Sequence, residues 1–284
     1  MNEFLNAVAE PENAFLRYAL VVGLLSSVAL GIVGSYVVTR RITYLAAAIS
    51  HCVLGGIGAA LYLQRRWELA WCDPMYGATA AALLAALLIG LVSLYARQRE
   101  DTVISAVWAV GVAIGLFFFY LTPGYTDPMS YVLYGSIWLI SRRDVWLVAG
   151  MDALVLLLGL GFYPKLLAVC FDQEFAELRG VRVKLHYLLL LGLIALTVVL
   201  LVRVVGILLL IALLTLPAAT AGHFARRLWQ MMAVATLFCV VFIASGITLS
   251  YAHDFPTGPV TVLIAAGAYL LVTVISRAWR HHTA

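Results

Sequence analysis

His51 is the residue best suited to chemistry, because it lies near the middle of a long apolar stretch. Inside a bilayer, ionisable side chains are rare and costly, and they usually face the interior of a helical bundle. Imidazole binds Zn²⁺, Mn²⁺ or Fe²⁺ better than it binds alkali or alkaline-earth ions. His51 is therefore predicted either to contact a transition-metal ion or to be a neutral histidine that is hydrogen-bonded between helices.

Asp152, His253 and Asp254 are the other candidate contacts for a cation. Asp152 is the only carboxylate deep inside an apolar run, where an unpaired charge is costly. It is predicted either to supply a second ligand beside His51 or to pair with an arginine or a hydroxyl group for structural reasons. His253 and Asp254 either accept a cation in an external loop or form an ordinary solvated turn, which the prolines and glycine of residues 256–259 already explain.

The composition places these residues in a membrane protein. The chain has 284 residues, of which 64% are hydrophobic and 11% are charged, and its mean hydropathy is +1.02. A soluble domain carries about 25% charged residues. No loop is long enough to fold as a second, soluble domain, so residues 1–284 are predicted to form a single transmembrane domain.

The apolar runs predict an all-α integral membrane protein of about nine transmembrane helices, since roughly 20 apolar residues cross a bilayer. Met129–Ile140 is too short to span and is predicted to be an interfacial or re-entrant helix. Pro217 is predicted to kink the seventh span. Gly111, Gly115 and the glycines of residues 55–58 predict close helix packing. The predicted spans are Phe15–Val38, Ile42–Leu63, Pro74–Tyr95, Thr102–Leu121, Asp144–Leu167, Leu185–Val202, Gly206–Ala221, Leu228–Tyr251 and Pro259–Ile275.

The positions of the basic residues predict how the chain is oriented. Most of the arginines and lysines between the predicted spans fall on one side, which is expected to be cytoplasmic. The N-terminus is then outside and the C-terminus is in the cytoplasm, although the Arg142–Arg143 pair lies on the outer side. The net charge of +4 is small and is carried in short loops, so no nucleic-acid partner is predicted.

The polar gap after the fifth span is predicted to be a short amphipathic helix near residues 172–180. Asp172 is a good N-cap, Glu174 falls in the first turn, and Gly180 is a good C-terminal stop. Such a helix fits either a groove in a soluble partner or the surface of the lipid. The residues of its apolar face, spaced by four and three positions, are Phe171, Phe175 and Leu178.

Four stretches of the chain, in the same order, resemble the ABC-3 metal permeases, which are zinc and manganese importers of bacteria. The segment Phe171–Val183 resembles their D-x-E-F-A-x-x-x-G-V stretch. The other three stretches run from Arg40 to Gly55, from Val205 to Ala221 and from Ser250 to Pro259. The last two contain the L-P-A-A-T-A and D-x-P-T-G-P elements, which are specific in combination.

The resemblance implies a type II permease, like the vitamin-B12 importer, in the bacterial plasma membrane. It implies a homodimer in which each half docks a cytoplasmic ABC ATPase through a coupling helix near residues 172–180. An extracellular or periplasmic binding protein would deliver a divalent metal ion as cargo, and no permanently bound cofactor is expected. The lipid bilayer is the remaining partner.

The chain departs from the family pattern beside His51. Family members commonly carry an aspartate four residues earlier, which puts two ligands on one helical face, but this chain has Ala47 there. A site poor in carboxylates favours zinc over manganese, and manganese and iron stay the alternatives. Zinc is therefore the expected cargo on ligand preference alone.

Two other classes of function stay open. A secondary transporter driven by an ion gradient would show internal symmetry with paired broken helices, and none is visible in the sequence. An intramembrane metalloenzyme would use His51 and Asp152 as its centre, but the chain has no HExxH motif. It also has no G-x-x-x-x-G-K-[ST] phosphate loop, so a transport subunit that relies on a separate ATPase is predicted rather than an enzyme.

Overall fold

The structure is a computed structural model that describes residues 14–69, 71–95, 100–123, 142–253 and 255–282. Over these residues the secondary structure is helical, as expected where a backbone in hydrocarbon must satisfy its own hydrogen bonds. The helices are α1 (Ala14–Arg40), α2 (Thr43–Arg66), α3 (Pro74–Tyr95), α4 (Glu100–Leu121), α5 (Arg142–Gly161), α6 (Tyr163–Phe171), α7 (Gln173–Leu178), α8 (Val183–Val205), α9 (Ile207–Ala221), α10 (Leu228–His253) and α11 (Thr257–His282).

Seven helices among the described residues are long and apolar enough to cross a membrane, namely α1 to α4, α8, α10 and α11. The pair α5 and α6 passes the same test together and would make an eighth span. The apolar part of α9, Leu210–Ala221, is shorter than the others. The helical, multi-span class is confirmed, whereas the predicted number of nine spans stays a prediction. The segment Met129–Ile140 lies outside the described residues.

The fifth predicted span is not one straight helix. The sequence predicts a continuous helix over Asp144–Leu167, and that prediction is wrong, because α5 ends at Gly161 and α6 leaves it at 69°. Pro164 lies at the start of α6. Proline has no N–H to donate and its ring clashes with the preceding turn, so it is tolerated at a helix start and not in a helix interior. The side chain of Tyr36 in α1 donates a hydrogen bond of 2.9 Å to the carbonyl of Gly159, just before the bend.

Pro217 lies inside α9 without interrupting it. The predicted kink at this proline stays a prediction.

The centre of the bundle is formed by α1, α2 and α8, which are mostly buried, whereas α4 and α11 lie at the periphery. Helix α2 packs closely on both α3 and α4. A Cβ built on Gly56 would come within 2.1 Å of the Gly77 carbonyl oxygen in α3. On α4, a Cβ on Gly111 would come within 2.8 Å of the Cys52 backbone. The glycines predicted to permit close packing therefore lie at helix crossings.

The end of α1, the start of α10 and the bend between α5 and α6 lie at the same end of the bundle, which we call the α7 end. Helices α1 and α10 are antiparallel, since Gly23 lies against Ile243 and Gly31 lies against Thr236. The end of α1 and the start of α10 are therefore neighbours. The bend between α5 and α6, which leads to α7, is tied to the same end of α1 by Tyr36.

Candidate functional site

His51 is the most exposed residue in an otherwise buried stretch of α2. Residues 45–50 and 52–55 of this helix are buried, whereas His51 is half-buried. Its ring stacks on that of Trp108 in α4, with 4.6 Å between the ring centroids and 13° between their planes. Trp108 is itself 40% exposed. The imidazole therefore lies at the edge of the helical bundle, against helix α4, which is mostly exposed.

The stacking leaves the two ring nitrogens of His51 available. It uses the face of the imidazole, whereas both nitrogens bind through lone pairs or N–H bonds in the ring plane. No hydrogen bond joins His51 to any residue of the described ranges. The prediction of a histidine hydrogen-bonded between helices therefore finds no support in the described part of the protein.

Among the described residues, the neighbours of His51 do not complete a metal site. Ala47 is buried and offers no donor atom beyond its backbone. The hydroxyl of Ser50 donates to the Ala46 carbonyl at 2.7 Å, and the thiol of Cys52 donates to the Val107 carbonyl at 3.3 Å. Within the part of the chain that the structure describes, no group of three or more His, Cys, Asp or Glu side chains could hold a metal ion.

Asp152 has a different set of neighbours. Its side chain is 3% exposed, and its Oδ1 accepts a hydrogen bond of 3.1 Å from the backbone N–H of Ala29 in α1. Helix α5, which carries Asp152, packs on α1 and α8, whereas α2 makes its largest contacts with α3 and α4. The ring partner of His51 is on α4 and the hydrogen-bond partner of Asp152 is on α1, so these two candidates have no partner in common.

The turn between α10 and α11 holds the next candidate. His253 is exposed at the end of α10, and its ring stacks on that of Phe255 at 5.8 Å between centroids. The hydroxyl of Ser250 contacts the Phe255 carbonyl and lies 3.0 Å from the Thr257 hydroxyl. Asp254 lies outside the described residues. The structure thus contains a compact turn here, with the imidazole of His253 on its surface.

Helix α7 is capped at both ends, as its sequence requires. The side chain of Asp172 accepts a hydrogen bond from the backbone N–H of Phe175 at 3.0 Å. At the other end Gly180 adopts φ of 74°, and the N–H of Val181 reaches the Ala176 carbonyl at 3.0 Å. These bonds satisfy backbone groups that such a short helix would otherwise leave unpaired.

The two sides of α7 have opposite surroundings. Ala176 is fully buried and faces the bundle. Phe171, Phe175 and Leu178 are 67%, 51% and 87% exposed, and Glu174 is exposed beside them. A short rigid helix with an exposed apolar face is the kind of element that a groove in a partner protein binds.

Trp108 is the residue that the sequence analysis missed. It lies in the middle of an apolar run, where an aromatic side chain does not stand out. Only the crossing of α2 and α4 brings its ring to His51.

Comparison with known proteins decides the class of the protein. The ABC 3 transport family matches residues 12–276, nearly the whole chain. The chain belongs to this family. The resemblance given by the four sequence motifs is therefore confirmed, and the chain is a multi-pass membrane protein of a transport family.

Relatives resemble this family member over most of its length. An uncharacterized membrane protein of Synechocystis is 38% identical, and the match covers 93% of this chain and 91% of that protein. The manganese transport system membrane protein MntC of Halalkalibacterium halodurans is 31% identical, with 94% and 91% covered. The structure of PsaBC from Streptococcus pneumoniae in complex with Fab is similar with a TM-score of 0.83 at 29% identity, and it covers 95% of this chain and 94% of that one.

Proposed function

We propose that this protein is the permease subunit of a bacterial ABC importer for divalent transition-metal ions, and that manganese is its cargo. The observation that carries the proposal is the half-buried imidazole of His51, whose ring stacks on Trp108 and whose nitrogens have no partner among the described residues. A transport site must release its ion as well as bind it, and a few weakly held nitrogen or oxygen donors suit both steps.

Manganese replaces zinc as the expected cargo. The preference for zinc came from the lack of a carboxylate beside His51, and nothing supports it further. Of the relatives described above, MntC is named for manganese transport. Because Mn²⁺ prefers oxygen ligands, we propose that water or backbone oxygens complete its coordination around the imidazole.

We propose that a homodimer completes the route of the ion. One imidazole is a poor site for a divalent cation, and His51 and Trp108 lie at the edge of the protomer on the side of the exposed helix α4. A two-fold axis beside this edge brings the same patch of both subunits together. Two imidazoles then face one path, in the manner of a type II permease of about nine spans per subunit.

We further propose how the protomer is oriented and coupled to energy. The α7 end faces the cytoplasm, where Phe171, Phe175 and Leu178 enter a groove of a separate ABC ATPase. The opposite end faces outward, so His253 and Asp254 receive the ion from an external binding protein. The outer N-terminus and the cytoplasmic C-terminus follow from the same orientation.

Metal-stimulated ATPase activity of the reconstituted transporter tests the proposed site. The unaltered complex is expected to respond to Mn²⁺ more strongly than to Zn²⁺ or Fe²⁺. His51→Ala is expected to lower the Mn²⁺ response by about tenfold or more. Mutating only the outer-shell partner of a metal ligand typically costs about 10–100-fold in metal affinity, and this variant removes the ligand itself. His223→Ala, which removes a histidine in the exposed loop before α10 that lies 3.4 and 3.3 Å from the hydroxyl groups of Thr273 and Ser276, is the control for loss of a histidine elsewhere. An unchanged Mn²⁺ response of His51→Ala would overturn the proposed site.

Asp152→Asn tests whether the buried carboxylate contributes to transport. Asparagine keeps an oxygen that can accept the hydrogen bond from Ala29, but it removes the negative charge. If Asp152 acts on the ion, uptake of manganese is expected to weaken while the amount of folded protein stays the same. Unchanged uptake would show that Asp152 has no role in transport and serves only its structural contact with α1. Asp152→Leu, which also removes the acceptor, is the comparison that reports loss of folding.

A further inference from the structure

A groove at the α7 end of the bundle has the features of a lipid site. It lies between α1, the α5–α6 bend and α10, and its volume is about 400 Å³. Ile32, Met232 and Ala233 are among the residues of its apolar wall. Tyr163 and Trp229 line it as well, and these two residue types concentrate at the interface between hydrocarbon and water.

Three basic residues lie within three positions of residues that line this groove. Arg226 and Arg227 are exposed immediately before α10, two and three positions from Trp229, and their backbone N–H groups both donate to Oε1 of Gln230 at 3.2 Å. Lys165 is exposed on α6, two positions after Tyr163. The loop that carries the arginines is therefore held in place by the side chain of Gln230.

Nζ of Lys165 lies over the Phe162 ring, 5.5 Å from its centroid, and no carboxylate neutralises the three groups among the described residues. No ion pair joins Arg226, Arg227 or Lys165 to an acidic side chain within the described ranges. The sequence has no aspartate or glutamate between Glu177 and Asp254. Positive charge beside an apolar groove and an interfacial tryptophan matches a molecule that has an anionic head and an apolar tail.

We propose that this groove binds one anionic phospholipid. The acyl chain lies along the wall formed by Ile32, Met232 and Ala233, and the phosphate group contacts Arg226 and Arg227. Basic pockets between transmembrane helices on the cytoplasmic side are known to bind anionic headgroups in this way. Tyr163 and Trp229 lie between the two ends, at the level of the glycerol backbone.

Two other occupants fit the groove less well. A second copy of the chain, related by a two-fold axis through this face, would bring the same arginines together, and like charges in an interface oppose association. A soluble protein partner can bind the exposed apolar face of α7. The groove suits it less well, because the walls of the groove are the transmembrane helices α1, α5 and α10. A lipid supplies the negative charge and the apolar chain in one molecule.

Lipid binding to the full-length protein in a neutral detergent tests the proposal. Phosphatidylglycerol is expected to remain bound in native mass spectrometry and to raise the unfolding temperature, whereas phosphatidylcholine does neither. A double variant, Arg226→Gln and Arg227→Gln, is expected to weaken phosphatidylglycerol binding by about 25-fold, since each basic residue near an anionic headgroup contributes on the order of fivefold. Both arginines are exposed, so their replacement leaves the fold unchanged.

A second variant tests the acyl-chain half of the groove. Ala233→Trp fills the groove from an exposed position on α10 and is also expected to prevent binding. The matched controls are Arg66→Gln, an exposed arginine in the last turn of α2, and Leu263→Trp on the exposed face of α11. Binding that is equal for both lipids, that survives the double arginine variant, or that falls equally in Arg66→Gln would overturn the proposal. A concentration-dependent dimer that excludes phosphatidylglycerol would overturn it as well.

Discussion

Alanine in place of Gly56 is expected to destabilise the bundle, although alanine is the better helix former. A Cβ at this position would meet the Gly77 carbonyl oxygen at 2.1 Å and the Ala81 methyl group at 2.6 Å. Both are parts of a packed helix and not the ends of flexible side chains, so α3 must move away from α2. Forcing extra methyl groups into a packed region typically costs about 1–3 kcal/mol, and the contact with backbone predicts the upper part of that range.

A matched glycine separates this clash from the effect of helix propensity. Beyond its own helix, no atom lies within 4 Å of a Cβ built on Gly192 in α8. Gly192→Ala should therefore be neutral or should stabilise the protein by up to about 1 kcal/mol, the difference in helix propensity. Thermal unfolding of both variants in the same detergent measures the contrast. Equal unfolding temperatures would show that α2 and α3 do not approach as closely as described.

The double variant Phe175→Ala and Leu178→Ala is expected to abolish co-purification of the ATPase subunit while the permease stays folded. Both side chains are more than half exposed in the isolated protomer, so their truncation costs the permease little. Truncating a hot-spot residue at the centre of an interface costs about 2 kcal/mol or more, and we expect Phe175 and Leu178 to be such residues. The pair then accounts for a loss in affinity of about 1000-fold, which is enough to separate the subunits during purification.

Two controls make this experiment specific. Leu263→Ala truncates another exposed leucine, on α11, which is 72% exposed against 87% for Leu178, and should leave the complex intact. Asp172→Ala removes the N-cap of α7, which typically costs about 1 kcal/mol, and should weaken the complex less than the double variant. Retention of the ATPase by the double variant would contradict the proposed coupling role of α7. Purification of the unaltered protein with no ATPase would contradict the proposed partner.

The local features of this protein follow from its sequence because they depend on interactions of short range. Long apolar runs must become helices in hydrocarbon, where no water can satisfy the backbone. The caps of α7 also follow from neighbouring residues, since Asp172 bonds to a backbone group three positions away and Gly180 adopts the positive φ that other residues avoid. The glycines on α2 and α4 indicate that helices cross there, although not which helices.

The tertiary structure decided what each polar side chain contacts. Trp108 meets His51 only because α2 and α4 cross, and the N–H of Ala29 reaches Asp152 only because α1 packs on α5. Neither partner has a sequence signal, since a tryptophan and an alanine inside apolar runs are unremarkable in a membrane helix. The break before Pro164 likewise has no hydropathy signal, because a bend does not change the apolar character of the residues around it.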